Sequence, residues 1–142
     1  ERGFVIKEIT DTTSLFEAHG YGQWTVSRKG EEALIGFCGY RPFYDPPDLQ
    51  LIYGIHPAWW GRGFASEAAH AALRYGFETL GFETIRAATD VPNTASVRVL
   101  EKIGMALDRR ALADGLDTLF FSISRDTFMP GDAFYQMHAD PV

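Results

Sequence analysis

Apolar and polar positions alternate along Trp24-Thr25-Val26-Ser27-Arg28, the pattern of a half-buried strand. Ala33 to Tyr40 is apolar on both faces, which predicts a central strand. Lys29-Gly30-Glu31 reads as the turn between them, so the two strands are expected to form a hairpin. Pro42, Pro46 and Pro47 make Arg41 to Asp48 a loop. Leu49 to Ile55 predicts a third strand. Leu49, Leu51, Tyr53 and Ile55 point to one side of it; Gln50, Ile52, Gly54 and then His56 point to the other. Gly54 inside a strand signals a bulge, or a close approach by another backbone or a ligand. Pro57 ends the strand.

Ala65, Ala68, Ala69, Ala72, Leu73, Phe77 and Leu80 recur at helical spacing and predict a long helix from Ser66 to Leu80, stopped at Gly81. Thr84 to Thr89 reads as a strand, broken at Val91-Pro92. Asn93 or Thr94 caps a second helix, Ala95 to Ile103, which ends at Gly104. Ala106 to Ala113 and Asp117 to Ser124 read as strands around the turn Asp114-Gly115, with Leu119, Phe121 and Ile123 sharing a side. Glu1 to Ile9 suits a helix or a strand, and Ser14 to His19 a brief helix. From Arg125 the sequence is aromatic but aperiodic, and 126–142 reads as a tail. This order predicts an α/β (α+β) fold, with a mostly antiparallel sheet and two helices in crossover connections. One domain over residues 1–142 is expected.

Composition narrows the class. Hydrophobic residues at 46% and aromatics at 14% suffice for a core and argue against disorder. No apolar run approaches the roughly 18 residues of a membrane span, and the first residues lack a signal-peptide pattern. A net charge of −6 argues against a nucleic-acid partner and would suit a cationic one. The single cysteine, Cys38, excludes an internal disulfide and a thiolate metal cluster; it reads as a buried strand thiol. His19, His56, His70 and His138 show no metal-ligand spacing, so no metal is expected. The reading is a cytoplasmic protein. Phe128, Phe134, Tyr135 and Met137 in the tail would suit a homodimer contact.

The chemistry centres on Trp60-Gly61-Arg62-Gly63-Phe64-Ala65-Ser66-Glu67, a glycine turn between the third strand and the long helix. The first helical N–H groups have no intrahelical partner, and the helix dipole adds positive charge there. Gly61 and Gly63 would let an anion approach the backbone, and Arg62 adds a mobile positive charge at the rim. The turn is not a P-loop, since no Gly-Lys-Ser/Thr follows. Nor is it a dinucleotide fingerprint, since position 66 is serine. A purely structural glycine turn in an unrelated α/β domain is the plain alternative.

Three segments together carry a resemblance: Trp60 to Ala68, Asn93-Thr94-Ala95-Ser96, and Val99-Leu100-Glu101-Lys102-Ile103-Gly104-Met105. Over roughly Gly22 to Ser124 the chain resembles the GNAT acyltransferase superfamily, in the branch of the ribosomal-protein N-terminal acetyltransferases (Rim type). The first segment is similar to the family's acyl-CoA pyrophosphate loop, with Trp60 at its first position and Gly63 and Ala65 matching. The resemblance implies a mixed, mostly antiparallel sheet splayed beside that loop, with helices on both faces. It implies that the family's N-terminal strand and first helix are missing before Glu1. It implies acetyl-CoA as cosubstrate. Backbone N–H groups of Gly61, Arg62, Gly63, Phe64, Ala65 and Ser66 would hold its pyrophosphate. Ile55 would pair with the pantetheine arm, Asn93 would hydrogen-bond the arm or a water, and Ser96 would lie near the thiol. Asn93 and Ser96 serve equally as an N-cap and a helix-start hydroxyl, and Trp60 as a rim aromatic.

The implied reaction is direct attack by a primary amine, either a peptide N-terminus or a small amine, on the acetyl thioester. It needs a neutral amine, an oxyanion donor and a proton for the leaving thiolate. Here the sequence departs from the family. Gln50 stands where this branch often carries a Glu base, and an amide cannot take a proton at neutral pH. His56, on the same side of the strand, and water are the other routes. No Tyr follows the second helix between Met105 and Leu112. Gln50, His56 and Ser96 are therefore the catalytic candidates. The departures also keep open a module that binds CoA without catalysis.

Overall fold

The computed structural model describes residues 22–27, 33–42 and 49–131. The expectations for Glu1 to His19, and for Phe134, Tyr135 and Met137, lie outside the described residues. Among the described residues six strands and two helices follow one another: β1 (Gln23–Ser27), β2 (Leu34–Pro42), β3 (Leu49–Ile55), a 3-10 turn (Pro57–Trp59), α1 (Phe64–Glu78), β4 (Thr84–Asp90), α2 (Thr94–Lys102), β5 (Ala106–Ala113) and β6 (Leu116–Ser124). The strands form one sheet in the order β1-β2-β3-β4-β6-β5. Every pairing is antiparallel except β3 with β4, the pair that the α1 crossover joins.

Strand β2 runs two residues further than expected. Arg41 and Pro42 pair with Gln50 and Leu49, and Pro42 is tolerated because it closes the strand. Helix α1 starts and stops two residues early. Gly63, at φ 80, forms its N-cap, and the Thr79 N–H to Tyr75 carbonyl bond closes its last turn. Helix α2 is capped by Asn93, whose Oδ1 accepts the Ser96 N–H at 3.1 Å. It ends in a Schellman pair: Met105 N–H to the Leu100 carbonyl, and Gly104 N–H, at φ 97, to the Glu101 carbonyl. Asp114 and Gly115, at φ 51 and 80, make the left-handed turn of the β5–β6 hairpin.

The two helices share one face of the sheet. Ala69, Ala72, Leu73 and Phe77 of α1 and Leu100 of α2 join Cys38, Tyr40, Leu49, Leu51, Ile85, Ala87, Phe121 and Ile123 in a single core. The expectation of helices on both faces is therefore met on one face only among the described residues. Tyr40, fully buried, fastens α1 to β2 by donating to the Ala72 carbonyl at 2.6 Å. Gly76 sits where that hydroxyl crosses: a Cβ there would lie 2.7 Å from it. Cys38 is buried as expected, and burial pushes its thiol up to about 12, so it is no nucleophile. Phe128 packs back onto Phe77 and His70, at ring distances of 5.2 and 5.1 Å. That contact is made within the chain. Among the described residues no helix is long and apolar enough to cross a membrane, and no group of three His, Cys, Asp or Glu could hold a metal ion.

Candidate active site

Strands β3 and β4 are bridged at one place, Gln50 with Arg86. Beyond that bridge they part. The β3 groups that face the parting follow from its pairing with β2. His56 N–H donates to the Ile35 carbonyl at 2.7 Å, so in an antiparallel ladder His56, Gly54 and Ile52 turn their backbone groups toward β2. Tyr53 and Ile55 turn theirs toward the parting. Gly54 shows no bulge. A Cβ there would come within 2.7 Å of the Phe37 ring on the opposed strand, so an aromatic side chain makes the close approach at this glycine.

At the open end of the parting lies the glycine loop. Gly61 and Gly63 have φ of 77 and 80, and a Cβ at either would meet nothing within 4 Å. No side chain caps α1, and its first backbone bond is Glu67 N–H to the Gly63 carbonyl at 3.0 Å. The N–H groups of Phe64, Ala65 and Ser66 thus precede the helical ladder with open space before them. This suits an anion. Arg62 is stacked: its guanidinium lies 4.9 Å over the Trp59 ring, which also meets Phe64 edge-on at 6.0 Å. Trp60 is 67% exposed, yet its indole N–H donates to the Ile55 carbonyl at 2.6 Å. Of the Ile55 backbone groups expected to receive a ligand, the carbonyl is therefore already engaged, and the N–H remains.

Inside the parting, the structure brings Ser96 to Tyr53. The two hydroxyls are 2.8 Å apart, and the Tyr53 hydroxyl also lies 3.3 Å from the Ser96 carbonyl. Burial raises the Tyr53 phenol above its ordinary value, against a lowering by the Ser96 bond. Phenol and serine both keep their protons at neutral pH. The even spacing from Leu49 could have flagged Tyr53, since it shares the core side with Leu51 and carries the one polar tip in that row. Asn93 spends its Oδ1 on the helix cap, which leaves its Nδ2 donors. His56 uses Nδ1 as acceptor for the Ala58 N–H at 3.2 Å, which assigns a neutral ring proton to Nε2. Gln50 lies at the closed end of the parting, on the face opposite the helices.

A sheet parted between two parallel strands, with an uncapped glycine loop at the parted end, is the architecture of an N-acetyltransferase fold. The profile of the Acetyltransferase (GNAT) domain matches residues 5–106, and the chain belongs to the GNAT acetyltransferase family. The uncharacterized N-acetyltransferase YnaD of Bacillus subtilis is 32% identical over 83 residues, covering 58% of this chain and 49% of that protein. The chain spans about half the length of the curated relatives it matches (53%, 49% and 56% of the first three). The fold is shared with the ribosomal-protein-S5-alanine acetyltransferase of Vibrio fischeri, at 21% identity and a TM-score of 0.70 over 82% of this chain and 69% of that one. It is shared also with yncA of Salmonella typhimurium, solved with its cofactor acetyl-CoA, at 16% identity and a TM-score of 0.70 over 87% and 76% of the two chains.

Proposed function

We propose that this protein is an N-acetyltransferase that moves an acetyl group from acetyl-CoA to a primary amine, either a protein N-terminus or a small amine. The observation that carries this reading is the β3–β4 parting with the uncapped loop at its open end. The residues present fit the cosubstrate. Gly61 and Gly63 leave room where a side chain would stand, and three N–H groups await an anion. When bound, acetyl-CoA supplies an activated acetyl thioester.

The chain's own groups have separable tasks. The N–H groups of Phe64, Ala65 and Ser66 bind the pyrophosphate. Tyr53 and the Ile55 N–H offer a strand edge to an amide-bearing arm. The Asn93 Nδ2 donors stay available beside the cap. The Tyr53 and Ser96 hydroxyls hold two protons inside the parting, where a leaving thiolate would need one. This pair favours catalysis over a module that only binds. Gln50 can orient an amine but cannot deprotonate it, and His56 is committed to its cap through one nitrogen, so amine deprotonation by water is the route we favour. The Vibrio fischeri likeness makes a protein N-terminus one acceptor to test, while the acidic balance suits an incoming amine in its cationic form. Cys38, buried as a free thiol, is compatible with a reducing cytoplasm, where we place the reaction.

The test is a melting curve with and without excess acetyl-CoA, on the parent and on Gly63→Trp. A rise in Tm in the parent that disappears in the variant supports the site. No rise in the parent overturns it. Release of free thiol that depends on an added amine then supports transfer.

A further inference from the structure

The sheet face opposite the helices carries a cavity of about 220 Å³ over β4, β5 and β6. It is lined by Thr84, Arg86, Asp108, Arg109, Phe120 and Ser122. None of these residues figures in the cosubstrate site. Its position matters because of the Gln50–Arg86 bridge: the cavity begins on the strand that forms one wall of the parting, beside the residue where the parting starts. Helices α1 and α2 fill the other face with core. Among the described residues, the face on which this cavity lies is the one the two helices leave to an acceptor.

The cavity's charges are unequal. The Asp108 carboxylate accepts from the Ser122 hydroxyl at 3.0 Å and lies 3.9 Å from the Arg86 guanidinium. These contacts largely balance Asp108 against Arg86. Arg109 is different. Its guanidinium lies 4.5 Å over the Phe120 ring and makes no ion pair among the described residues. A cation stacked on a ring keeps its planar edge of donors presented and loses little freedom on binding. In a chain of net charge −6, this cavity is lined by two arginines and one aspartate. A planar carboxylate is the group that such a fork matches. Neighbouring strands lie about 4.8 Å apart, and Arg109 sits two strands beyond β4, so its charge lies on the order of 10 Å from the wall of the parting. A cavity of this size holds a short carboxylate-bearing tail and little more.

We propose that the acceptor is a primary amine bearing a carboxylate within that reach, with Arg109 as the residue that recognises it. This rests on the acetyl-transfer reading above and narrows it from any primary amine to an acidic one: a free amino acid, or a peptide N-terminus followed at once by an acidic side chain.

The test uses the full chain and two readouts. The first is CoA thiol release with the free amino acids, the matching amino-acid amides, spermidine, and the peptide amides Ala-Glu and Ala-Gln. The expected result is a KM at least tenfold lower for the carboxylate-bearing member of a pair. Arg109→Ala should raise that KM to the amide's level with kcat little changed, and Arg109→Lys should restore part of the difference. Preference confined to amino acids identifies a small-molecule acceptor; preference confined to Ala-Glu identifies an acidic peptide. Equal use of acids and amides, or an Arg109→Ala effect on both alike, overturns the proposal. The second readout is calorimetric binding of N-acetylated amino acids and their amides in the presence of CoA, which needs no turnover. Tighter binding of the acids, lost in Arg109→Ala, sustains the carboxylate site; no difference overturns it. Turnover of no amine at all, by contrast, counts against the acetyl-transfer reading itself.

Discussion

The Tyr53 hydroxyl stands 2.8 Å from the Ser96 hydroxyl, tying the edge of one strand to the first turn of the helix that follows its parallel neighbour. The contact spans 43 residues of sequence and crosses the mouth between β3 and β4. Its removal should be felt twice. Tyr53→Phe is expected to lower stability by about 1 kcal/mol, the usual net worth of one hydrogen bond. It should also lower kcat at least tenfold while leaving the acetyl-CoA-induced rise in Tm intact. Urea unfolding and steady-state kinetics on the same preparation check both. An unchanged kcat would assign the pair a purely structural role.

Asn93 has two ends, and they can be tested apart. Asn93→Ala removes the acceptor for the Ser96 N–H and should cost about 1 kcal/mol of stability. Asn93→Asp keeps that acceptor and removes the Nδ2 donors. If the donors serve the ligand, the Asp variant retains its Tm and loses acetyl-CoA affinity, measured by calorimetry. Retained affinity would leave Asn93 as a cap alone.

Gly63 holds φ at 80, so Gly63→Ala should destabilise the chain by about 1–2 kcal/mol even though a Cβ there meets no neighbour within 4 Å. The loss comes from the backbone and not from a clash. It should therefore be no smaller for Ala than for Ser, which chemical denaturation can determine.

Stability should decline on the alkaline side. Burial pushes the Cys38 thiol up to about 12 and raises the Tyr40 and Tyr53 phenols. The folded chain holds these protons more tightly than the unfolded chain does. The Cys38 contribution is therefore complete below about pH 8.5, where an unfolded thiol begins to ionise, and is lost as pH rises toward 12. The slope from one such group approaches about 1.4 kcal/mol per pH unit. Urea midpoints from pH 8 to 10.5 should fall in the parent and fall less steeply in Cys38→Ala. The thiol should also resist a thiol reagent at pH 8 until the chain is unfolded.

Much of the fold could be read from the sequence because its signals were local. The Gly104 stop, the Asn93 cap and the Asp114-Gly115 turn each act within a few residues, and each fell where expected. The glycine loop was equally legible, since helix-start N–H groups and small residues are properties of the sequence itself. What lay hidden depended on partners distant in the chain. Gly54 gave a correct signal of crowding, but the crowding agent, Phe37, is known only once β2 and β3 are in register. The stacking of Arg62 on Trp59 and the return of the Trp60 indole to Ile55 are side-chain choices that no periodicity encodes. The Tyr53–Ser96 pair and the cavity beside Arg109 arise only from how β3, β4 and β5 meet.

The solitary Gln50–Arg86 bridge has a consequence for folding as well. In the sheet's hydrogen-bond ladder it is a seam. On one side lies the β1–β2–β3 meander; on the other lie β4 and the β5–β6 hairpin, and each half is stitched densely within itself. The halves are joined chiefly by the side chains under α1 and α2. Such a chain can open along the seam while each half keeps its own ladder, so amide exchange at Tyr53, Ile55 and the far half of β4 should report that opening before either half unravels. A molecule lodged between β3 and β4 would act as the missing stitch and slow that exchange, which makes the working state of the protein also its most cohesive one.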